Sequence, residues 1–359
     1  MAGLGIVVLV FAAGMASGRR QALLVLLGSS LGAVLYQHAF GFTAAWRTFI
    51  RDRDAAGLQA QVLMLAIACV LFFPALAAGA FAGRPLIGFV FPVGPGVVIG
   101  AFLFGIGMQL GGGCGSGTLY TMGGGNARMV VTLTAFVLGS LLATAHLPFW
   151  LSLPAIAPVS FVALWGPWWA LAAHLAVFAG LALLLHRYAA GSSFLPPRRL
   201  VGGAVGLAVL NFATLVVAGR PWGITSAFAL WGAKLAIAVG LPVTGWPYWS
   251  EPGMAAALEA SVLADLTSVM NFGLVLGALA AAAAAGRFRP NLRVPPRSFL
   301  AATVGGLLMG YGARLAFGCN VGAFFSGVAS GSLHGWVWLA AAFAGSVVGV
   351  RLRPWFRLD

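Results

Sequence analysis

Apolar residues gather into runs near 4–18, 21–39, 58–82, 97–110, 127–147, 165–186, 201–218, 224–240, 262–285, 299–316 and 335–350, and charge, proline and glycine collect between them. A helix that crosses a bilayer needs about 20 apolar residues, so a chain of this length with short connections holds roughly eight to twelve crossings and no separate soluble domain. Several runs, 97–110 among them, are too short to cross upright. Short or broken helices persist at membrane depth only where their loose backbone ends are buried in protein or line a polar cavity, which points to a conduit. The pattern predicts an all-α polytopic membrane protein with about nine transmembrane helices plus short or re-entrant ones. The run at 4–18 is followed, not preceded, by the basic pair Arg19 and Arg20, so it reads as a retained first span and not as a signal peptide.

Composition agrees: of the 359 residues 61% are hydrophobic and 7% charged, against about 25% charged in a soluble domain. The net charge of +14 does not imply nucleic acid, because the arginines sit at the ends of apolar runs. The basic connections 187–199 and 287–297 and the tail residues Arg351, Arg353 and Arg357 are expected on the cytoplasmic side, and the connections 147–164 and 241–261 on the other. Arg19 and Arg20 fit this scheme only for some span counts, which leaves the parity of the first third open. Asp265, in the run 262–285, reads as an acid deep in a span, and tryptophans such as Trp165, Trp168, Trp169, Trp246 and Trp249 read as interfacial anchors.

A shift of 205 positions lays GIGMQLGGGCGSG (105–117) on GYGARLAFGCNVG (310–322), with Gly113/Gly318, Cys114/Cys319 and Gly117/Gly322 coinciding. A weaker echo pairs FGFTAAW (40–46) with WGITSAF (222–228), through Gly41/Gly223 and Thr43/Thr225. Two halves, 1–190 and 191–359, of one transmembrane domain are therefore expected, related by a pseudo-twofold axis with inversion. Duplicated halves with glycine-interrupted apolar segments place a substrate site near the midplane between repeats. Glycine lets backbone approach a ligand closely, and a helix that restarts there aims N–H groups and about half a positive charge at it, which suits an anion. Helix packing through small residues is the competing account of the glycines.

Cys114 and Cys319, each flanked by glycine, are candidate ligands for a sulfur-bearing guest, whereas Cys69 reads as a core hydrophobe. The candidate substrate-binding set is Cys114, Cys319, Gly113, Gly115, Ser116, Gly117, Thr118, Gly318, Asn320, Gly322, Gly41, Thr43, Gly223, Thr225 and Arg314. Arg47, Arg220 and Lys234 also lie by the motifs, where a charge at membrane depth is a functional candidate. The five histidines show no metal-binding spacing, and no GxxxxGK[ST] motif is present, so neither cofactor nor metal is expected. Alternatives are an intramembrane protease built on Ser116, which the repeat disfavours because Ser116 falls on Val321, a persulfide-handling redox enzyme using both cysteines covalently, and an unrelated anion channel.

The segments GGGCGSGTLYTMGGGN (111–126), FGCNVGAFFSGVASGSLHGW (317–336), FTAAWR (42–47) and GRPWGITSAFALWGAK (219–234) resemble the YeeE/YedE family of bacterial inner-membrane sulfur transporters, over nearly the whole chain and in the family's order. The resemblance implies an hourglass of short and long helices about a pseudo-twofold axis, thiosulfate uptake past cysteine-bearing loops through S–H to sulfur contacts, a lipid bilayer as surroundings, and a small TusA-type sulfur carrier as cytoplasmic partner. Its essential thiols fall on Cys114 and Cys319. The family commonly has a third cysteine where this chain has Gly41.

Overall fold

The structure, a computed structural model, describes residues 2–189 and 195–358. The boundary expected between halves at 190/191 lies outside the described residues. The chain is helical almost throughout: α1 (Ala2–Ser17), α2 (Arg19–His38), α3 (Phe42–Asp52), α4 (Ala56–Ala78), a small hairpin β1 (Ala80–Phe81) and β2 (Arg84–Pro85), α5 (Pro95–Gly111), α6 (Gly115–Gly123), α7 (Arg128–Ser152) and α8 (Phe161–Tyr188). Then follow α9 (Arg198–Ala218), α10 (Thr225–Ala238), α11 (Pro247–Ser250), α12 (Pro252–Glu259), α13 (Leu266–Ala284), α14 (Pro296–Leu315), a π-helical turn (Asn320–Phe325), α15 (Ser326–Ala329) and α16 (Leu333–Leu352). Among the described residues nine helical segments are long and apolar enough to cross a membrane, while α1 and α10 are shorter apolar helices. The protein is an all-α, multi-pass membrane protein.

Cross-links between helix ends orient the bundle. The Arg20 guanidinium donates to the carbonyls of Val217 and Ala218 at the end of α9, and His38 Nδ1 lies 2.6 Å from the Arg199 carbonyl at its start, so α2 and α9 are antiparallel. One end of the bundle thus collects Arg20, the hairpin, whose following Ile87 N–H donates to Gly219, and the start of α13. The other end collects His38, Arg199 and the loop in which Asn291 N–H donates to the Gly125 carbonyl. This second end carries the described parts of both basic connections.

Helix α14 packs on α7 and α5, α16 on α5, α13 on α2, and α4 on α9. Contacts this close require small residues: a Cβ on Gly277 would lie 1.9 Å from the Ser29 carbonyl oxygen, and one on Gly345 2.0 Å from that of Phe102. Packing therefore accounts for many glycines outside the motifs.

Two expectations are corrected. Asp265 is not deep in a span: the run 262–285 opens with a 3-10 turn, and Asp265 is the N-cap of α13, its carboxylate accepting from Ser268 N–H at 2.7 Å. An acid at an N-cap satisfies a free N–H and the helix dipole together. Trp249 is not an interfacial anchor but a buried residue whose indole N–H donates to Thr144 at 3.0 Å, whereas Trp168 and Trp169 are exposed as expected.

Candidate functional site

Two helices break at equivalent points. Helix α5 ends at Gly111, Gly112 turns left-handed at φ 88, and Cys114, in extended conformation, becomes the N-cap of α6. Helix α14 ends at Leu315, Phe317 and Gly318 turn at φ 58 and φ 153, and Cys319, also extended, is the N-cap of the π-helical turn. The left-handed position before Cys114 is thus Gly112, one residue ahead of the glycine singled out from sequence. Gly113 is needed for space instead, because its Cβ would meet the backbone of Gly117 and Thr118 at 2.9 Å.

The two short helical pieces begin side by side. A Cβ on Gly115 would lie 3.1 Å from Cys319 Sγ and 3.3 Å from Ile224. A Cβ on Gly322 would lie 3.9 Å from the Cα of Gly223. Both cysteine motifs and the second GxT motif therefore share one locus. From it α6 runs to Gly123–Gly125 at the basic end, while the π-helical turn and α15 run to Ser330 and Gly331, which bond Phe89 and Phe161 at the opposite end. Two helix N-termini thus converge on the cysteines, and each brings unpaired N–H groups and partial positive charge. Cys114 and Cys319 are buried and free, and Cys114 Sγ lies 3.4 Å from Ser116 Oγ. The Thr118 hydroxyl and both polar atoms of the Asn320 amide are buried without a partner, so the protein leaves hydrogen-bonding capacity unused beside each cysteine.

A cavity of about 370 Å³ leads in from the end opposite the basic loops, lined by Arg220, Thr225, Tyr248, Arg314, Gly318 and Gly322 among others. Arg314 donates to the Tyr248 hydroxyl at 3.1 Å and lies over that ring, and its Nε is buried without a partner. Arg220 donates to Thr267 at 3.2 Å. Lys234 holds the carbonyls of Leu258 and Ala260 at the end of α12 and so serves structure. A second cavity of about 250 Å³ opens at the basic end, beside Gly41, Thr48, Asp54 and Gln61.

The first GxT motif stands apart from the cysteines. Gly41 is the extended N-cap of α3, and its Cβ would lie 3.2 Å from the Tyr120 hydroxyl on α6. The Thr43 carbonyl accepts from Gln109 at 3.3 Å, and the Thr43 hydroxyl is buried and unpartnered. The residues missed from sequence are amides that hold the motifs: Gln109 here, Asn271 donating to the Ile224 carbonyl at 3.0 Å, and Asn211 accepting from Trp222 N–H at 2.8 Å. Each stands alone in an apolar run, a signal that was available. Cys69 bonds only the Val328 carbonyl, at 3.7 Å, as a core thiol. Among the described residues no three His, Cys, Asp or Glu side chains gather in a way that would hold a metal ion.

Comparison with known proteins gives a family match and three relatives. The family model described as sulphur transport matches residues 37–348. The chain is 28% identical over 342 residues to the thiosulfate transporter TsuA of Spirochaeta thermophila, covering 87% of this chain and 93% of that protein, and 24% identical over 350 residues to the thiosulfate transporter TsuA of Escherichia coli K12, covering 89% and 91%. It is 33% identical over 163 residues to the probable transporter YedE of Escherichia coli K12, a match spanning 44% of this chain and only 39% of that relative's length.

Proposed function

Because the chain belongs to the sulphur-transport family, a family of transporters and not of enzymes, we propose that it admits thiosulfate, or a closely related sulfur oxyanion, past a constriction formed by Cys114 and Cys319. The observation that carries this reading is the position of Cys319 Sγ against Gly115, where two helix N-termini meet. The locus offers an anion backbone N–H groups, two thiol S–H donors and the amide of Asn320, with no fixed countercharge within the constriction to trap it. Charge-assisted hydrogen bonds are roughly twice as strong as neutral ones, so neutral donors bind the anion well enough to replace its water while leaving it free to move on. Arg220 and Arg314 supply attraction one step away, in the entrance cavity.

The same reading makes the two halves pseudo-equivalent, with α2, α4, α5 and α7 matching α9, α13, α14 and α16. Exchange of these labels turns the α7–α14 contact into α16–α5 and the α2–α13 contact into α9–α4, all of which occur, and this supports the inverted repeat. The basic end is the cytoplasmic one in a bacterial inner membrane, and a small TusA-like sulfur carrier would receive the anion there.

The experiment is uptake of labelled thiosulfate into proteoliposomes in competition with sulfate, sulfite and selenite. Uptake suppressed by excess thiosulfate and not by sulfate is expected. No uptake of any sulfur species would defeat the proposal. Passage by hydrogen bonding leaves the masses of Cys114 and Cys319 unchanged after exposure to substrate, whereas a persulfide mechanism would add sulfur to one of them.

A further inference from the structure

The last turn of α5 points its carbonyls, and the negative end of its dipole, towards the loop that carries Cys114. An anion path beside three bare carbonyls would be repulsive. Here each carbonyl is met by a side-chain donor from another element. Arg353, just past α16, donates to Gln109 at 2.7 Å. Arg128, opening α7, donates to Leu110, and Thr132 donates to Gly111 at 3.2 Å. Arg353 is 7% exposed and its second nitrogen holds the Leu358 carbonyl. Arg128 also packs against Gly112, the left-handed residue of the turn.

The equivalent side lacks these cations: under the shift of 205 Arg128 falls on Leu333 and Arg353 on Pro148, neither of them charged. The two guanidinium groups are therefore peculiar to the Cys114 side. A neutral amide would satisfy a carbonyl equally well, but only a cation also cancels the helix-terminal charge.

We propose that Arg128 and Arg353 are positioning residues for transport: they fix the turn that presents Cys114 and reverse the sign of the potential there, so that the inner half of the path attracts an anion. The inference rests on the reading that Cys114 lines the path. Its test uses the full chain with Cys114 as sole cysteine (Cys69→Ala, Cys319→Ala) in proteoliposomes, labelled with methanethiosulfonate reagents bearing a sulfonate, an ammonium or no charge. Each rate is divided by that reagent's rate with a small free thiol in solution, and on this scale the sulfonate reagent is expected to outpace the ammonium one. In Arg353→Gln and Arg128→Gln that preference should fall about two- to fivefold, the range a charge at a helix end carries, while the neutral reagent's rate changes less and Arg→Lys restores the preference. An unchanged preference in the Gln variants, or equal loss in Gln and Lys variants, overturns the electrostatic role. Should the Gln variants not fold, faster ammonium labelling in the protein with both arginines overturns it directly, and faster sulfonate labelling there and in the Lys variants sustains it. Cys114 inert to all three reagents defeats the path reading instead.

Discussion

At the scale of single residues, the three cysteines separate by surroundings. Cys114→Ala and Cys319→Ala are each expected to bring thiosulfate uptake to background with folding intact, because each removes a donor at the proposed constriction. Cys69→Ala leaves only a small core void, at a cost of about 1 kcal/mol, and should transport normally. Near-normal uptake in either motif variant would end the two-thiol scheme. Gly41 sharpens this: its backbone is extended, and a side chain there needs only the Tyr120 hydroxyl, at 3.2 Å, to yield. Gly41→Cys should therefore fold and keep or modestly raise uptake, while Thr43→Val, which removes an unpartnered buried hydroxyl, should lower it severalfold. Both are read from initial rates. The cysteines were legible because they recur in a repeat. Asn271 and Gln109 were not singled out, because they serve backbone carbonyls of the motifs and neither recurs as an amide under the shift, Gln109 falling on Arg314.

At the scale of elements, the break in each helix decides which glycines tolerate a side chain. Gly318 has φ 153 and its Cβ would lie 2.7 Å from Ala323 N. Gly318→Ala should thus lose both stability and transport, with strain of order 1–3 kcal/mol. Gly223 has no such constraint, since its Cβ would only touch the Phe89 ring at 3.6 Å. Gly223→Ala should keep its thermal midpoint and lose rate alone, by narrowing the approach to Gly322. A drop in melting temperature as large as that of Gly318→Ala would refute this distinction. Packing glycines are not neutral controls: a Cβ on Gly203 meets the Phe40 ring at 2.8 Å and one on Gly349 the Ile106 carbonyl at 2.9 Å. Glycine spacing marked where the helices break but not the hand of each turn, because Phe317 accepts a positive φ that composition assigns to glycine. The position of Asp265 was misjudged for a related reason: hydropathy does not register an N-cap, and the apolar residues before it continue the run.

At the scale of the whole molecule, the open question from sequence was the sidedness of the first third. Arg19 and Arg20 lie at the end away from the basic loops, against the charge rule. The structure supplies a reason: the Arg20 guanidinium is committed to the last carbonyls of α9, as is Arg84 through Val217 at 3.1 Å. Charges that close helix C-termini gain from the dipole they meet, so they do not vote on topology as solvated loop arginines do. The exposed arginines Arg287, Arg289, Arg293 and Arg297 collect at the other end with the tail residues Arg351 and Arg357. Orientation should follow them, with α11 and α12 outside. In a cysteine-free variant, a single cysteine at Ser250 should react in intact cells with a membrane-impermeant maleimide, and one at Arg293 only after lysis. The reverse pattern would invert the path, making the cavity beside Arg220 and Arg314 an exit. The inward attraction assigned to those arginines would then become a barrier to release.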